Sequence, residues 1–206
     1  MKSRIAESKK TSEKIQLIAS GRSYDLDDRK TVVVGNFSVS LEYHKALNLL
    51  FENNLYGAGT ALLRAQFESY VKGLWFLNCG TDVQVDRAYN DAFKKEFQQL
   101  ITGLEHVQAS GWEDIKIIKE KFWGVMNGFT HSAKPQLARR FKGNKITPNY
   151  DEGLLSSTLN LSDFIAIRTV IELSDISNQG IPENQLHELI TLNKSMGEMF
   201  NHGKNL

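Results

Sequence analysis

The chain runs 134 residues before its first proline, and Pro135, Pro148 and Pro182 are its only three. Proline removes a backbone donor and clashes with the preceding turn, so its absence over that length leaves long helices unobstructed. Apolar spacing points the same way. Tyr43, Ala46, Leu47 and Leu50 recur at intervals of three and four. So do Leu63, Phe67, Tyr70, Leu74 and Leu77, and then Ile115, Ile118, Phe122, Val125, Met126 and Phe129. Leu154, Thr158, Leu161 and Ile165 predict a long helix in the last third, and Leu186, Leu189, Ile190, Met196 and Phe200 predict another.

Helix starts carry their own signals. Thr81-x-x-Gln84 and Ser110-x-x-Glu113 have the capping-box form. Asp151 suits the cap of a helix beginning near Glu152, and Pro182 suits a first helical position. Strand evidence is confined to Thr31-Val-Val-Val34, bounded by Gly35. Without a partner, that run is expected to be an extended connector or hairpin arm. The fold class is therefore all-α. One bundle of six to eight helices is expected over residues 31–206, with a short extended segment near 31–34 and residues 1–30 as a peripheral arm.

Composition narrows the function classes. With 41% hydrophobic and 24% charged residues, the chain is neither disordered nor fibrous. Its one cysteine, Cys79, rules out an internal disulfide and a cysteine-held zinc site. No two of its five histidines have a metal-ligand spacing, so neither metal nor cofactor is expected. The basic start MKSRIAESKK has no apolar run behind it, and no stretch reaches the roughly 18 apolar residues of a membrane span. A cytoplasmic protein with no membrane partner is expected.

The net charge of +1 conceals a polarised chain. Residues 131–150 hold five bases (Lys134, Arg139, Arg140, Lys142, Lys145) and no acid, whereas residues 151–206 hold eight acids against three bases. Two constellations carry candidate chemistry. At 100° per residue, Arg64, Glu68, Val71 and Trp75 lie within about 60° of one another, with Gln66, Ser69 and Gly73 opposite. Arg64 and Glu68 then form either a structural ion pair or the polar lining of an interhelical pocket with Trp75. The second constellation is Asn127-Gly-Phe-Thr-His131, followed by the basic run. His131 suits a general acid/base, with Asn127 to orient it and Lys134, Arg139, Arg140 and Lys142 to hold phosphate. The alternative is a histidine that caps a helix C-terminus beside a solvated basic loop. Gly57-x-Gly59 lacks the strand and Lys-Ser/Thr of a phosphate loop, and no nucleophile elbow is present.

The stretch from Ala61-Leu-Leu-Arg64 through Glu68 to Trp75 resembles the Arg-x-x-x-Glu helix of a group of bacterial proteins related to the HEPN superfamily. Phe129-Thr-His131-Ser, with Arg139-Arg140 and Ile146-Thr-Pro148-Asn-Tyr150, is similar to that group's His-then-Arg-Arg segment. The likeness covers roughly residues 40–178. It implies an α-helical bundle, commonly a homodimer, of bacterial defence or toxin–antitoxin type, acting on RNA or the translation machinery. HEPN ribonucleases carry Arg-x(4–6)-His, and His131 would match its histidine. The positions where the arginine would stand are Met126, Val125 and Gly124. The residues are therefore compatible with a metal-independent ribonuclease and with a non-catalytic module that meets a protein partner.

Overall fold

In a computed structural model, which describes residues 1–189 and 191, the chain is all-helical apart from one two-stranded hairpin. In chain order the helices are α1 (Lys2–Ala19), α2 (Asp28–Glu52), α3 (Tyr56–Asn78), α4 (Asp82–Tyr89), α5 (Phe97–His106), α6 (Trp112–Thr130), the single turn α7 (Lys134–Leu137) and α8 (Glu152–Asp175). A 3₁₀ turn at Ala138–Arg140 leads into strands β1 (Phe141–Lys142) and β2 (Lys145–Ile146), which pair antiparallel. Residues 183–189 are helical again.

Helices α2 and α3 form the most extensive interface. Two glycines of α3 explain how closely they approach. A Cβ on Gly59 would stand 2.7 Å from the Phe51 ring, and one on Gly73 would stand 2.6 Å from the Phe37 ring. The glycines are fourteen residues apart, as are the two phenylalanines in reverse order, so one antiparallel register seats both rings against bare backbone. Both phenylalanines are fully buried.

The same packing overturns the expected extended segment at 31–34, which lies inside α2. Asp27 caps this helix by accepting the Lys30 amide. Val33 is buried four residues before Phe37. Helix propensity costs a valine only a few tenths of a kcal/mol. Burying Val33 and Phe37 returns about 1.5–3 kcal/mol each, so burial wins.

Helix α3 also touches α5, α6 and α8, and α8 touches α1, α2 and α3. Long and apolar enough to cross a membrane, α8 nevertheless has 72% of its most apolar window buried inside the fold. It is a core helix. Residues 1–30, expected as a peripheral arm, contain α1, which lies along α8 and buries Ile15 and Ile18 against Ala166, Ile167 and Val170.

Capping signals fared unevenly. Thr81 and Gln84 form the reciprocal capping box, and Asp151 accepts the Leu154 amide at the start of α8. Ser110 forms no box: Gly111, at φ 73°, takes the cap position of α6, and the Ser110 hydroxyl accepts from Arg168 Nη2 instead. Pro182 directly precedes the helical residues 183–189, and its carbonyl accepts the Leu186 amide. Ile190, Met196 and Phe200 lie outside the described residues.

Candidate functional site

The end of α6 lies against the beginning of α3, where Thr130 Oγ1 is 3.4 Å from the Ala61 carbonyl. This contact brings three sequence-predicted residues together. Arg64 Nε donates to Glu68 Oε1 at 2.7 Å, and Arg64 Nη1 meets His131 Nε2 at 2.8 Å. The Arg64 guanidinium also lies 4.9 Å from the centre of the Trp123 ring, against which Phe97 is stacked in parallel at 4.5 Å. Arg64 is thus aimed by a carboxylate on its own helix, an indole on α6 and an imidazole at the end of α6.

Proton bookkeeping at this contact is one-sided. A guanidinium has donors only and stays charged, so Arg64 donates and His131 Nε2 accepts. In its neutral form His131 then carries its proton on Nδ1. His131 is exposed, and Arg64 and Glu68 are half-buried, so the group is open to a ligand. An i,i+4 ion pair at such exposure is worth about 0.3–0.5 kcal/mol, so little of the fold depends on it.

Asn127 contributes differently from the expectation. Its carbonyl accepts the His131 amide at 3.0 Å, which makes His131 the C-cap of α6. Its side-chain oxygen is buried without a hydrogen bond. Asn127 therefore holds His131 through the main chain. Gly128 stays within α6, and the chain turns at Ser132, whose φ is 50°.

Trp75 does not join the site. It is eleven residues beyond Arg64 on α3, about 16 Å along the axis, buried between Phe76 and Phe93 with Lys95 over its ring. The face opposite Arg64 is also covered. Gln66 is fully buried, because α3 is central and has neighbours on both sides.

The basic segment divides. Arg139 is tied into the fold: it donates to the Pro135 carbonyl at 2.7 Å, lies 3.7 Å from Asp151 and sits over Phe129. Lys134, Arg140, Lys142 and Lys145 are exposed. In the hairpin, Phe141 pairs with Ile146 and Lys142 with Lys145, giving one apolar and one cationic face.

A buried polar cluster escaped the sequence reading. His44, Asn48, Gln66, Ser162 and Asp163 are all nearly or fully inaccessible. Ser162 Oγ lies 3.0 Å from His44 Nδ1, and His44 Nε2 lies 3.6 Å from Asp163 Oδ1. These are the residue types of a nucleophilic triad, but the protons run the wrong way. Ser162 Oγ donates its single proton to Gln66 Oε1 at 2.6 Å, so His44 Nδ1 must donate to Ser162. A serine whose proton faces away from the imidazole is not activated by it, and no substrate reaches it. Burial pushes His44 down from its ordinary pKa, opposed by the Asp163 carboxylate and assisted by Arg4. The cluster joins helices: Ser8 and Arg4 of α1 both hold Asp163 of α8. Its signal in the sequence was the run of Ser40, His44 and Asn48 on the apolar face of α2 that also holds Phe37, Leu47 and Phe51.

Arg168 and Glu172 on α8 repeat the Arg-x-x-x-Glu spacing at the other end of α6, where Arg168 meets Ser110. Burial pushes the neighbouring Tyr70 hydroxyl up to about 12 and raises Glu172, with Arg168 opposing both shifts. Among the described residues no cluster of three His, Cys, Asp or Glu side chains has a metal-holding arrangement.

A model of a family of unknown function (DUF6988) matches residues 37–195, and the chain belongs to that family. No curated protein and no solved structure matches it.

Proposed function

We propose that this protein acts on RNA as a metal-independent ribonuclease, with His131 and Arg64 as its working pair. The observation that carries this is the 2.8 Å contact between Arg64 Nη1 and His131 Nε2. No arginine stands at positions 124–126, where an Arg-x(4–6)-His motif would put it, and Arg64 takes that role from another helix. Phosphodiester cleavage in RNA needs a base for the 2′-hydroxyl and a cation for the charge developing on phosphorus. His131 takes the hydroxyl proton, the freed oxygen attacks phosphorus, and the 5′-oxygen leaves with a proton from water. A bound phosphate competes for the Arg64 donors and so frees the Nε2 lone pair for this task. Glu68 and Trp123 hold the guanidinium in place, and Arg140 and Lys142 supply phosphate contacts without base readout.

A relationship to the HEPN superfamily, a homodimer and a place in bacterial defence belong to the same proposal, supported by the Arg-x-x-x-Glu helix and the His-then-Arg-Arg segment. The test is incubation of the purified protein with total RNA in excess chelator. Cleavage that disappears in His131→Ala and in Arg64→Ala is expected. Cleavage that persists in His131→Ala removes the mechanism. Absence of cleavage in the unaltered protein favours the second reading, a non-catalytic helical module. That reading rests on a specific observation: Arg64 already has three partners, as a clamp between α3 and α6 would.

A further inference from the structure

Between α6, α7 and the start of α8 lies a cavity of about 520 Å³. Val125, Pro135, Ala138 and Leu154 form its apolar walls, and Lys134, Arg139 and Asp151 are its charged groups. Val125 and Trp123 are two residues, or about 200°, apart around α6. The cavity therefore opens on a different flank of that helix from the Arg64–Trp123 stack, and it is separate from the His131 site. Pockets that take small organic molecules measure about 300–1,000 Å³, so there is room for one ligand of nucleotide size.

The charged groups define its chemistry. Arg139 Nη1 is fixed on the Pro135 carbonyl, while Nη2 stands 3.7 Å from Asp151 Oδ2, outside hydrogen-bonding distance. Asp151 Oδ1 is committed to the Leu154 amide, which leaves Oδ2 as an open acceptor. Among the described residues Lys134 has no carboxylate within ion-pair distance. Two cations against one carboxylate leave the cavity net positive, with donors on two different residues and one acceptor beside them.

We infer that this cavity binds a phosphorylated nucleoside. Each part of such a molecule has a counterpart: the flat base for the Val125, Pro135 and Leu154 walls, a sugar hydroxyl for Asp151 Oδ2, and the phosphate for Lys134 and Arg139. A tetrahedral phosphate offers three oxygens to donors from two directions, where a carboxylate offers two in one plane. A free mononucleotide and the 5′-terminal nucleotide of an RNA strand share this chemistry.

Calorimetric titration of the whole protein with adenosine 5′-monophosphate tests the site without reference to cleavage at His131. One-to-one binding is expected, weakened by about tenfold or more in Lys134→Gln and in Ala138→Trp, which fills the cavity from an exposed position. Adenosine and inorganic phosphate should each bind at least about tenfold more weakly than the nucleotide. No saturation by about 1 mM nucleotide overturns the inference. So does wild-type affinity in both variants when their circular dichroism is unchanged. Phosphate binding as tightly as the nucleotide does so as well. A 5′-phosphorylated diadenylate that binds as tightly as the mononucleotide assigns the site to strand ends, and one about tenfold weaker assigns it to free mononucleotides.

Discussion

Arg64 and His131 are 67 positions apart in sequence and meet at 2.8 Å, guanidinium to imidazole. The contact fixes a direction of hydrogen bonding, because only Arg64 can donate. In the neutral ring the proton is therefore on Nδ1, against the usual preference of free imidazole for Nε2. Nitrogen-15 NMR of the neutral imidazole should show the Nδ1–H form in the unaltered protein and mainly the Nε2–H form in Arg64→Ala. A ring already in the Nε2–H form would exclude the contact in solution.

Arg64→Lys tests whether one forked side chain is needed. Arginine reaches Glu68 through Nε and His131 through Nη1 at once. A lysine ammonium is a single point and loses that geometry. RNA cleavage should fall by about 10²-fold or more, with a melting temperature close to the original, since the exposed pair contributes little stability. A variant that keeps full activity would show that charge alone suffices.

Buried His44 sets a pH dependence of stability. Its folded pKa lies below the unfolded value of 6.5, so below that value the unfolded chain binds a proton that the native state refuses. Stability should be flat above about pH 7.5 and fall on acidification toward pH 5.5, by at most about 1.4 kcal/mol per pH unit. Asp114 and Glu172, both raised by burial, act with the opposite sign at the acid end. Urea denaturation of His44→Gln should show lower stability throughout but a flatter slope across this window. An unchanged slope would assign the effect to other groups.

Asp163 is fully buried and Arg4 is 16% exposed, so their ion pair is a poor candidate for single-sided removal. Arg4→Ala leaves a carboxylate in the core without its charge partner, which costs about 3–5 kcal/mol. Asp163→Asn removes the buried charge and should cost less than half of that. Equal losses, measured by chemical denaturation, would mean that α1 is held by its apolar residues rather than by this pair.

A Cβ on Gly57 would stand 2.4 Å from the Tyr150 hydroxyl, which is buried without a partner. Gly57→Ala should destabilise by about 1–3 kcal/mol through overpacking. Tyr150→Phe alone should be neutral or stabilising, because it removes an unsatisfied buried group. The double variant should recover part of the Gly57→Ala loss, leaving the 3.4 Å contact with the ring. Strict additivity in thermal unfolding would contradict this geometry.

Helical character was legible wherever apolar residues recur at intervals of three and four. The spacings of Leu63–Leu77 and Ile115–Phe129 mark helices whose apolar stripes are buried, and the local caps at Thr81 and Asp151 formed because their chemistry spans only three residues. The Ser110 box did not form because α6 begins one residue later, with Gly111 at its cap, and the Ser110 hydroxyl accepts from Arg168, 58 positions away. Thr31–Val34 reads as extended because β-branching is visible locally, whereas the burial of Val33 and Phe37 that makes it helical is not. Gln66 lies opposite the Arg64–Trp75 stripe and is nevertheless buried, because α3 has neighbours on more than one side and the spacing of one stripe does not reveal the second.

Sequence by itself determined the all-helical class, the polarity of the basic 131–150 segment, and the i,i+4 pairing of Arg64 with Glu68, because each depends on residue type and short spacing. Tertiary structure alone decided that Arg64 faces His131, that Arg139 lines a cavity with Lys134, and that α1 closes over Asp163. Those relations join residues from separate helices. Their geometry depends on which faces pack and in what register, and that is set by side-chain volume and close backbone approach summed over the whole core.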